Sequence, residues 1–176
     1  MGTVQRKTVQ DLLAGAKRFL TNTILGPLLV ATGCTGRATV EDTLEQGCVF
    51  YEQGDLASAI AEFTEAIRVR PDFAEAYSNR GLAYCDKGDF DKAIADLTEA
   101  IRLIPAYARA YGERGAAYSE RGDYDKAIDD LTEAIRLNPE YAEAYNNRGI
   151  AYEKKGDHAN AEADFAKAKE LGYEPE

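Results

Sequence analysis

The feature that most constrains this chain is a unit of 34 residues that occurs four times in direct succession. The copies are residues 40–73, 74–107, 108–141 and 142–175, and the first is the most diverged. Repetition at such a period indicates that each unit is one supersecondary element. A unit of this kind buries its apolar face only against its neighbours.

Small residues hold fixed positions in all four copies: glycine at the eighth position, and alanine at the twentieth and twenty-seventh. Their spacing allows two helices to approach closely, while larger residues fill the space between them. A Gly-Asp dipeptide, such as Gly88-Asp89, separates the two stretches in each copy. It predicts a first helix that ends at glycine and a second helix that is capped by aspartate. First helices are expected near 41–53, 75–87, 109–121 and 143–155, and second helices near 56–69, 90–103, 124–137 and 158–171.

The order aromatic–Gly–aromatic, Ala–Phe/Leu–Ala and Pro, at this period, resembles the tetratricopeptide repeat. The resemblance covers Val40 to Pro175. It implies an all-α, right-handed α-solenoid of four tetratricopeptide helix hairpins, preceded by a leader of residues 1–39.

One position departs from the family pattern, because the leucine expected before the glycine is Gln46 in the first copy and arginine in the others. We expect each arginine to pair with an aspartate that recurs on the neighbouring helix. The arginines are Arg80, Arg114 and Arg148, and the aspartates are Asp96, Asp130 and Asp164.

The resemblance also implies that the first helices line a concave groove, which holds an extended peptide or a helix of a partner protein. Asn79 and Asn147 offer both an amide donor and an acceptor to a peptide backbone. The predicted peptide-binding groove contains Leu44, Ser78, Asn79, Leu82, Asp86, Arg109, Glu113, Ala116, Glu120, Asn146, Asn147, Ile150 and Lys154.

The charge of the chain favours basic or neutral partners for this groove. Residues 40–176 carry sixteen Lys or Arg and thirty Asp or Glu, whereas residues 1–39 carry five cations and one acid. Binding to the nucleic-acid backbone needs clustered cations, so we expect no nucleic-acid partner. The acids in the groove are expected to select Lys or Arg on the ligand.

Chaperone-binding members of the family hold a C-terminal carboxylate with basic residues and asparagines. By resemblance, only Asn79 matches that carboxylate clamp. Leu44 stands in place of a lysine, Cys48 in place of an asparagine and Glu113 in place of an arginine. We therefore expect the clamp to be absent.

The sequence offers little for catalysis. The single histidine, His158, is expected to pack in place of the apolar residues at its repeat position, and no Cys/His spacing predicts a metal site. The Asp-x-Asp pairs at Asp89 and Asp123 sit at turns and lack the rest of a calcium loop. We expect no enzyme activity, no metal and no cofactor.

Residues 1–39 resemble none of the repeats. A basic start, an apolar middle and the stretch Leu29–Cys34 are similar to a bacterial lipoprotein signal, in which Cys34 would carry lipid. This interpretation predicts a membrane tether on the periplasmic side of a bacterial envelope. Export and retention in the cytoplasm both stay open, because Val9 to Leu20 also fits an amphipathic helix that caps the first repeat.

Taken together, these features predict an adaptor or scaffold for protein–protein interaction. The alternative is a structural module that associates with itself, as a homodimer or larger homo-oligomer, through uncovered helix faces. The repeat pattern specifies a scaffold and leaves the identity of the ligand undetermined.

Overall fold

The computed structural model describes residues 39–174, all of which lie in the unit Arg37–Glu176. These residues form helices joined by short turns, and the described part of the chain contains no strand. The helices are α1 (Val40–Glu52), α2 (Leu56–Val69), α3 (Ala74–Asp86), α4 (Phe90–Leu103), α5 (Ala108–Glu120), α6 (Tyr124–Leu137), α7 (Ala142–Lys154) and α8 (His158–Glu170).

Each helix packs against the next one along the chain. In addition, α1 contacts α3, α3 contacts α5 and α5 contacts α7, whereas the second helices of adjacent repeats do not contact each other. The first helices therefore form an inner layer and the second helices an outer one. This arrangement confirms the predicted all-α solenoid of tetratricopeptide repeats, with its inner surface built from α1, α3, α5 and α7.

The repeated small residues lie at the contact between the two helices of each hairpin. A Cβ atom added to Gly115 would lie 2.6 Å from Leu131 Cγ and 3.2 Å from the carbonyl oxygen of Ala127. Gly81 would meet Leu97 in the same way, at 2.8 Å. The helix backbones are therefore so close that only hydrogen fits at these positions.

Each turn between paired helices contains a glycine in the left-handed region, with φ between 78° at Gly54 and 88° at Gly122. The aspartate that follows caps the second helix through its side chain in two repeats only. Asp55 accepts from the backbone N–H of Ser58, and Asp157 accepts from that of Asn160.

The prediction of an aspartate side-chain cap is wrong for the other two repeats. Asp89 and Asp123 are the N-cap residues of their helices but form no side-chain cap hydrogen bond; the side chain of Asp89 accepts from the Lys92 ammonium group, and that of Asp123 is held by Arg121. A nearby cation competes successfully for the carboxylate because a charged donor forms the stronger hydrogen bond.

The predicted arginine–aspartate pairs are confirmed in all three repeats that carry the arginine. Arg114 Nε and Nη2 donate to the two carboxylate oxygens of Asp130 at 2.7 and 2.9 Å, while Nη1 donates to Thr98 Oγ1 at 3.0 Å. The same bonds join Arg80 to Asp96 and Arg148 to Asp164. Because Thr98 belongs to the preceding repeat, each arginine connects its own hairpin to the one before it.

The structure tests the prediction for His158 but not the prediction for Cys34. His158 is exposed at the first position of α8, whereas Leu56, Phe90 and Tyr124 at the same repeat position are partly buried, so the predicted packing role is wrong. Cys34 and the rest of the leader lie outside the described residues. Within the residues that are described, none of the helices is both long and apolar enough to cross a membrane.

Candidate groove on the inner helix layer

The predicted groove residues lie on the inner helices and differ in exposure. Five side chains are exposed: Asp86, Arg109, Glu120, Ile150 and Lys154. Seven are partly buried: Leu44, Asn79, Leu82, Glu113, Ala116, Asn146 and Asn147. Ser78 is the exception, since it is fully buried and turned toward a neighbouring helix rather than toward a ligand.

The centre of the groove is a hydrogen-bonded network that crosses three first helices. Glu113 Oε2 accepts from the Ser78 hydroxyl at 2.8 Å, and Glu113 Oε1 accepts from Arg109 Nε at 2.6 Å. Arg109 Nη2 also donates to Asn79 Oδ1 at 3.2 Å, and Asn79 Nδ2 approaches Cys48 Sγ at 3.6 Å. The network joins α1, α3 and α5 into one surface.

Glu113 is the most unusual charge in this network, because its side chain is only 9% exposed. Burial raises the pKa of its carboxyl group, while Arg109 and the hydrogen bond from Ser78 oppose that rise. The pKa of Tyr141 rises to about 12, first through burial and then through the nearby acids Glu143 and Glu113. The carboxyl group of Glu113 is therefore largely shielded from water and lies beside the guanidinium group of Arg109.

A depression of about 550 Å³ opens beside this network. Its walls combine apolar surface with acidic and amide groups. It is lined by Leu82, Ala108, Arg109, Glu113, Asn138, Tyr141 and Glu143.

Sequence reasoning omitted Tyr141 and Asn138 from the groove, because they belong to the loop after α6 rather than to a first helix. A signal for Tyr141 exists in the sequence. Gly112 occupies a repeat position where the other copies have Leu44, Ser78 and Asn146. A Cβ atom at Gly112 would lie 2.7 Å from Tyr141 Cε1, so the missing side chain makes room for the ring.

A second, smaller depression of about 270 Å³ lies further along α3 and α5. It is lined by Cys85, Asp86, Phe90, Ala116, Ala117 and Glu120. The Tyr51 hydroxyl donates to Asp86 at its edge. Burial, together with the nearby acids Glu113, Asp86 and Glu120, raises the pKa of the Cys85 thiol to about 12.

At the fourth repeat, the groove residues are engaged differently. Asn146 Nδ2 donates to the hydroxyl of Tyr173 at 3.3 Å, whereas Ile150 is 36% exposed. Among the described residues, His, Cys, Asp and Glu do not gather in any group of three that could hold a metal ion.

Comparisons with known proteins agree with this architecture. Tetratricopeptide repeat family models match residues 44–108 and 142–171, and a further TPR repeat model matches residues 115–156. The comparison with curated protein sequences gave no match.

Several solved structures are similar to this chain. A crystal structure of MamA is 34% identical, with a TM-score of 0.70 over 76% of this chain and 78% of that chain. MamA from Desulfovibrio magneticus RS-1 is 27% identical, with a TM-score of 0.70 over 77% and 76% of the two chains. The first TPR of Spaghetti (RPAP3), bound to the HSP90 peptide SRMEEVD, is 26% identical, with a TM-score of 0.65 over 66% of this chain and 93% of that chain.

The matches extend over all four repeats and include the inner helix layer. This chain belongs to the tetratricopeptide repeat family. Its fold is that of a scaffold for protein interaction.

Proposed function

We propose that this protein is an adaptor that binds an extended peptide or a helix of a partner protein in the groove of α1, α3, α5 and α7. The observation that carries the proposal is the central depression, where apolar walls surround a few oriented polar groups. A similar tetratricopeptide structure holds a peptide, which supports the assignment of a ligand of this kind.

The charges of the groove favour a basic or neutral ligand. The depression is lined by two acids, Glu113 and Glu143, and by the cation of Arg109, so its net charge is negative and disfavours an acidic side chain. The peptide held by the similar Spaghetti domain is acidic, with the sequence SRMEEVD. We infer that the present groove has a different specificity.

Selection from a displayed library of random peptides tests the proposal. Leu82→Asp and Asn79→Ala alter the groove, whereas Arg136→Ala changes an exposed ion pair on α6 and is the matched control. We expect selected peptides to bind the wild type and the control, and to lose at least tenfold in affinity for the groove variants. If circular dichroism shows that the variants are folded, an affinity that neither groove substitution changes would contradict the proposal.

Self-association is the alternative function, and sedimentation over a range of concentrations separates the two. An adaptor stays monomeric without ligand, whereas a self-associating module increases in mass with concentration.

We also propose that Cys34 is lipidated and tethers the repeats to the periplasmic side of a bacterial envelope, with a cytoplasmic location as the alternative. The support is the sequence Leu29–Cys34, which resembles a lipoprotein signal. Intact mass of protein from membrane and soluble fractions of the native host tests this. A membrane-bound chain that begins at Cys34 with added lipid is expected, and a soluble chain that retains residues 1–33 would overturn it.

A further inference from the structure

Arg109 has no counterpart in the other repeats. It occupies the second position of its repeat, where the other three copies have Glu41, Glu75 and Glu143. All four side chains are exposed. A cation at this position of an otherwise acidic surface therefore needs a local explanation.

The explanation lies in the contacts of Arg109 with Glu113. Both carboxylate oxygens of Glu113 accept hydrogen bonds, one from the neutral Ser78 hydroxyl and the other from Arg109. Compensation of the buried negative charge therefore depends on the guanidinium group. A carboxylate buried without a cation is costly, because desolvation is then unopposed.

Arg109 is nevertheless much more exposed than its partner. Its side chain is 46% exposed, whereas the side chain of Glu113 is 9% exposed. The other bond of its guanidinium group is a single contact of 3.2 Å to Asn79. Nearly half of the Arg109 side chain is therefore open to solvent, and its guanidinium group is held by hydrogen bonds to Glu113 and Asn79.

The depression beside the pair fits the side chain that would replace it. Leu82 and the ring of Tyr141 provide apolar walls for an aliphatic stem, while Glu113 and Glu143 provide carboxylates for a charged head. Long cationic side chains bind in this way, with the stem on apolar surface and the head on an acid.

We propose that the depression binds an arginine or lysine side chain of the partner, and that Arg109 is an internal substitute for that side chain. In the free protein Arg109 neutralises Glu113; on binding, the cation of the ligand takes its place. This inference rests on the proposed function of the groove and names the residue that determines its specificity.

The probes are short acetylated and amidated peptides of alanine and serine that carry one central arginine, or citrulline in its place. Citrulline keeps the shape of the side chain and removes its charge. The proteins are the wild type, Arg109→Ala, Arg109→Gln and Glu113→Gln, with Arg136→Ala as the control that removes an arginine from the outer layer. Titrations followed by amide signals of α3 and α5 give the dissociation constants.

We expect Arg109→Ala and Arg109→Gln to bind the arginine peptide about tenfold more tightly than the wild type, since a charge-assisted bond is gained without displacing an internal competitor. The citrulline peptide should gain nothing, and Glu113→Gln should lose the preference for arginine. Equal gains for both peptides, or no gain for either Arg109 variant, would overturn the assignment.

The result is separable from the proposed function. If peptides selected from the library bind in the groove but Arg109 variants leave arginine selectivity unchanged, only the present inference fails. If the selected peptides bind independently of Leu82 and Asn79, the proposed function itself fails.

Discussion

At the scale of residues, the ion pairs of this protein fall into two groups that differ in burial. In the pair of Arg114 and Asp130 the side chains are 16% and 11% exposed, whereas in the pair of Arg136 and Glu133 they are 67% and 32% exposed. Water screens the second pair strongly and the first one weakly. Only the buried pairs are therefore expected to support the fold.

A double-mutant cycle at Arg114 and Asp130 tests this difference. Asp130→Ala should lower the free energy of unfolding by about 2–4 kcal/mol, because it leaves the guanidinium buried without its acid. The combination with Arg114→Leu should cost less than the sum, with a coupling energy of about 1–3 kcal/mol. Urea unfolding measures each value. In the control cycle on Arg136 and Glu133 we expect no resolvable coupling, and additive effects at Arg114 and Asp130 would show that the pair contributes nothing.

Glu113 gives a dependence of stability on pH. Burial raises the pKa of its carboxyl group in the folded state above the ordinary value of 4.5, so between the two values the folded state binds more protons than the unfolded state. The contribution of Glu113 to the free energy of unfolding therefore falls as pH rises from the unfolded-state pKa to the folded-state pKa. Urea unfolding at a series of pH values should show the wild type losing stability relative to Glu113→Gln as pH rises above 4.5. A constant difference across the series would mean that Glu113 titrates normally.

At the scale of elements, close packing between the two helices of a hairpin is the main constraint. Ala127, Leu131 and Ala134 lie on one face of α6, and all three are 0% exposed. The glycines of the first helices oppose the same large residues. Close pairing of the two helices therefore requires a small residue at a few positions.

Two glycine substitutions separate packing from backbone conformation. Gly115→Ala should lower the free energy of unfolding by about 1–3 kcal/mol, because its Cβ would lie 3.2 Å from a backbone oxygen of the adjacent helix. Gly122→Ala meets no atom within 4 Å, but φ is +88°, so we expect a loss of about 1 kcal/mol from backbone strain. Urea unfolding measures both losses. Helix propensity alone would predict that Gly115→Ala stabilises the protein, and that outcome would refute the packing argument.

At the scale of the whole molecule, each hairpin within residues 39–174 contacts only the hairpins that are its neighbours in sequence. Stability should therefore be a sum of the stabilities of single repeats and of the interfaces between them. Arg80, Arg114 and Arg148 contribute to these interfaces through their threonine partners in the preceding repeat.

Insertion of a second copy of residues 108–141 after Tyr141 tests this additivity. The longer chain should unfold at a higher urea concentration, since it gains a repeat and an interface without losing one. A control insertion that carries Asp130→Ala should gain less. An unchanged or lower midpoint for the intact insertion would contradict the description as a linear stack.

Much of this architecture could be predicted from the sequence alone. The four hairpins and the pairing of Arg114 with Asp130 follow from a repeat whose register is set by small residues and turns, whereas the inner placement of the first helices follows from the resemblance to the tetratricopeptide repeat. Because the environment repeats, the role of one residue can be inferred from the residues at the same position in the other copies. His158 shows where this reasoning fails, because its side chain is exposed although Leu56, Phe90 and Tyr124 at the same repeat position are partly buried.

The contacts between side chains in the groove, by contrast, depend on how the folded repeats are arranged in space. The burial of Glu113, its bond to Ser78 and the packing of Tyr141 against Gly112 depend on distances within and between two adjacent repeats. A repeat pattern defines the helices and their order through local spacing and packing volume. The charges and the shape of the groove arise from positions where the copies differ, and side chains from separate repeats meet there only after folding.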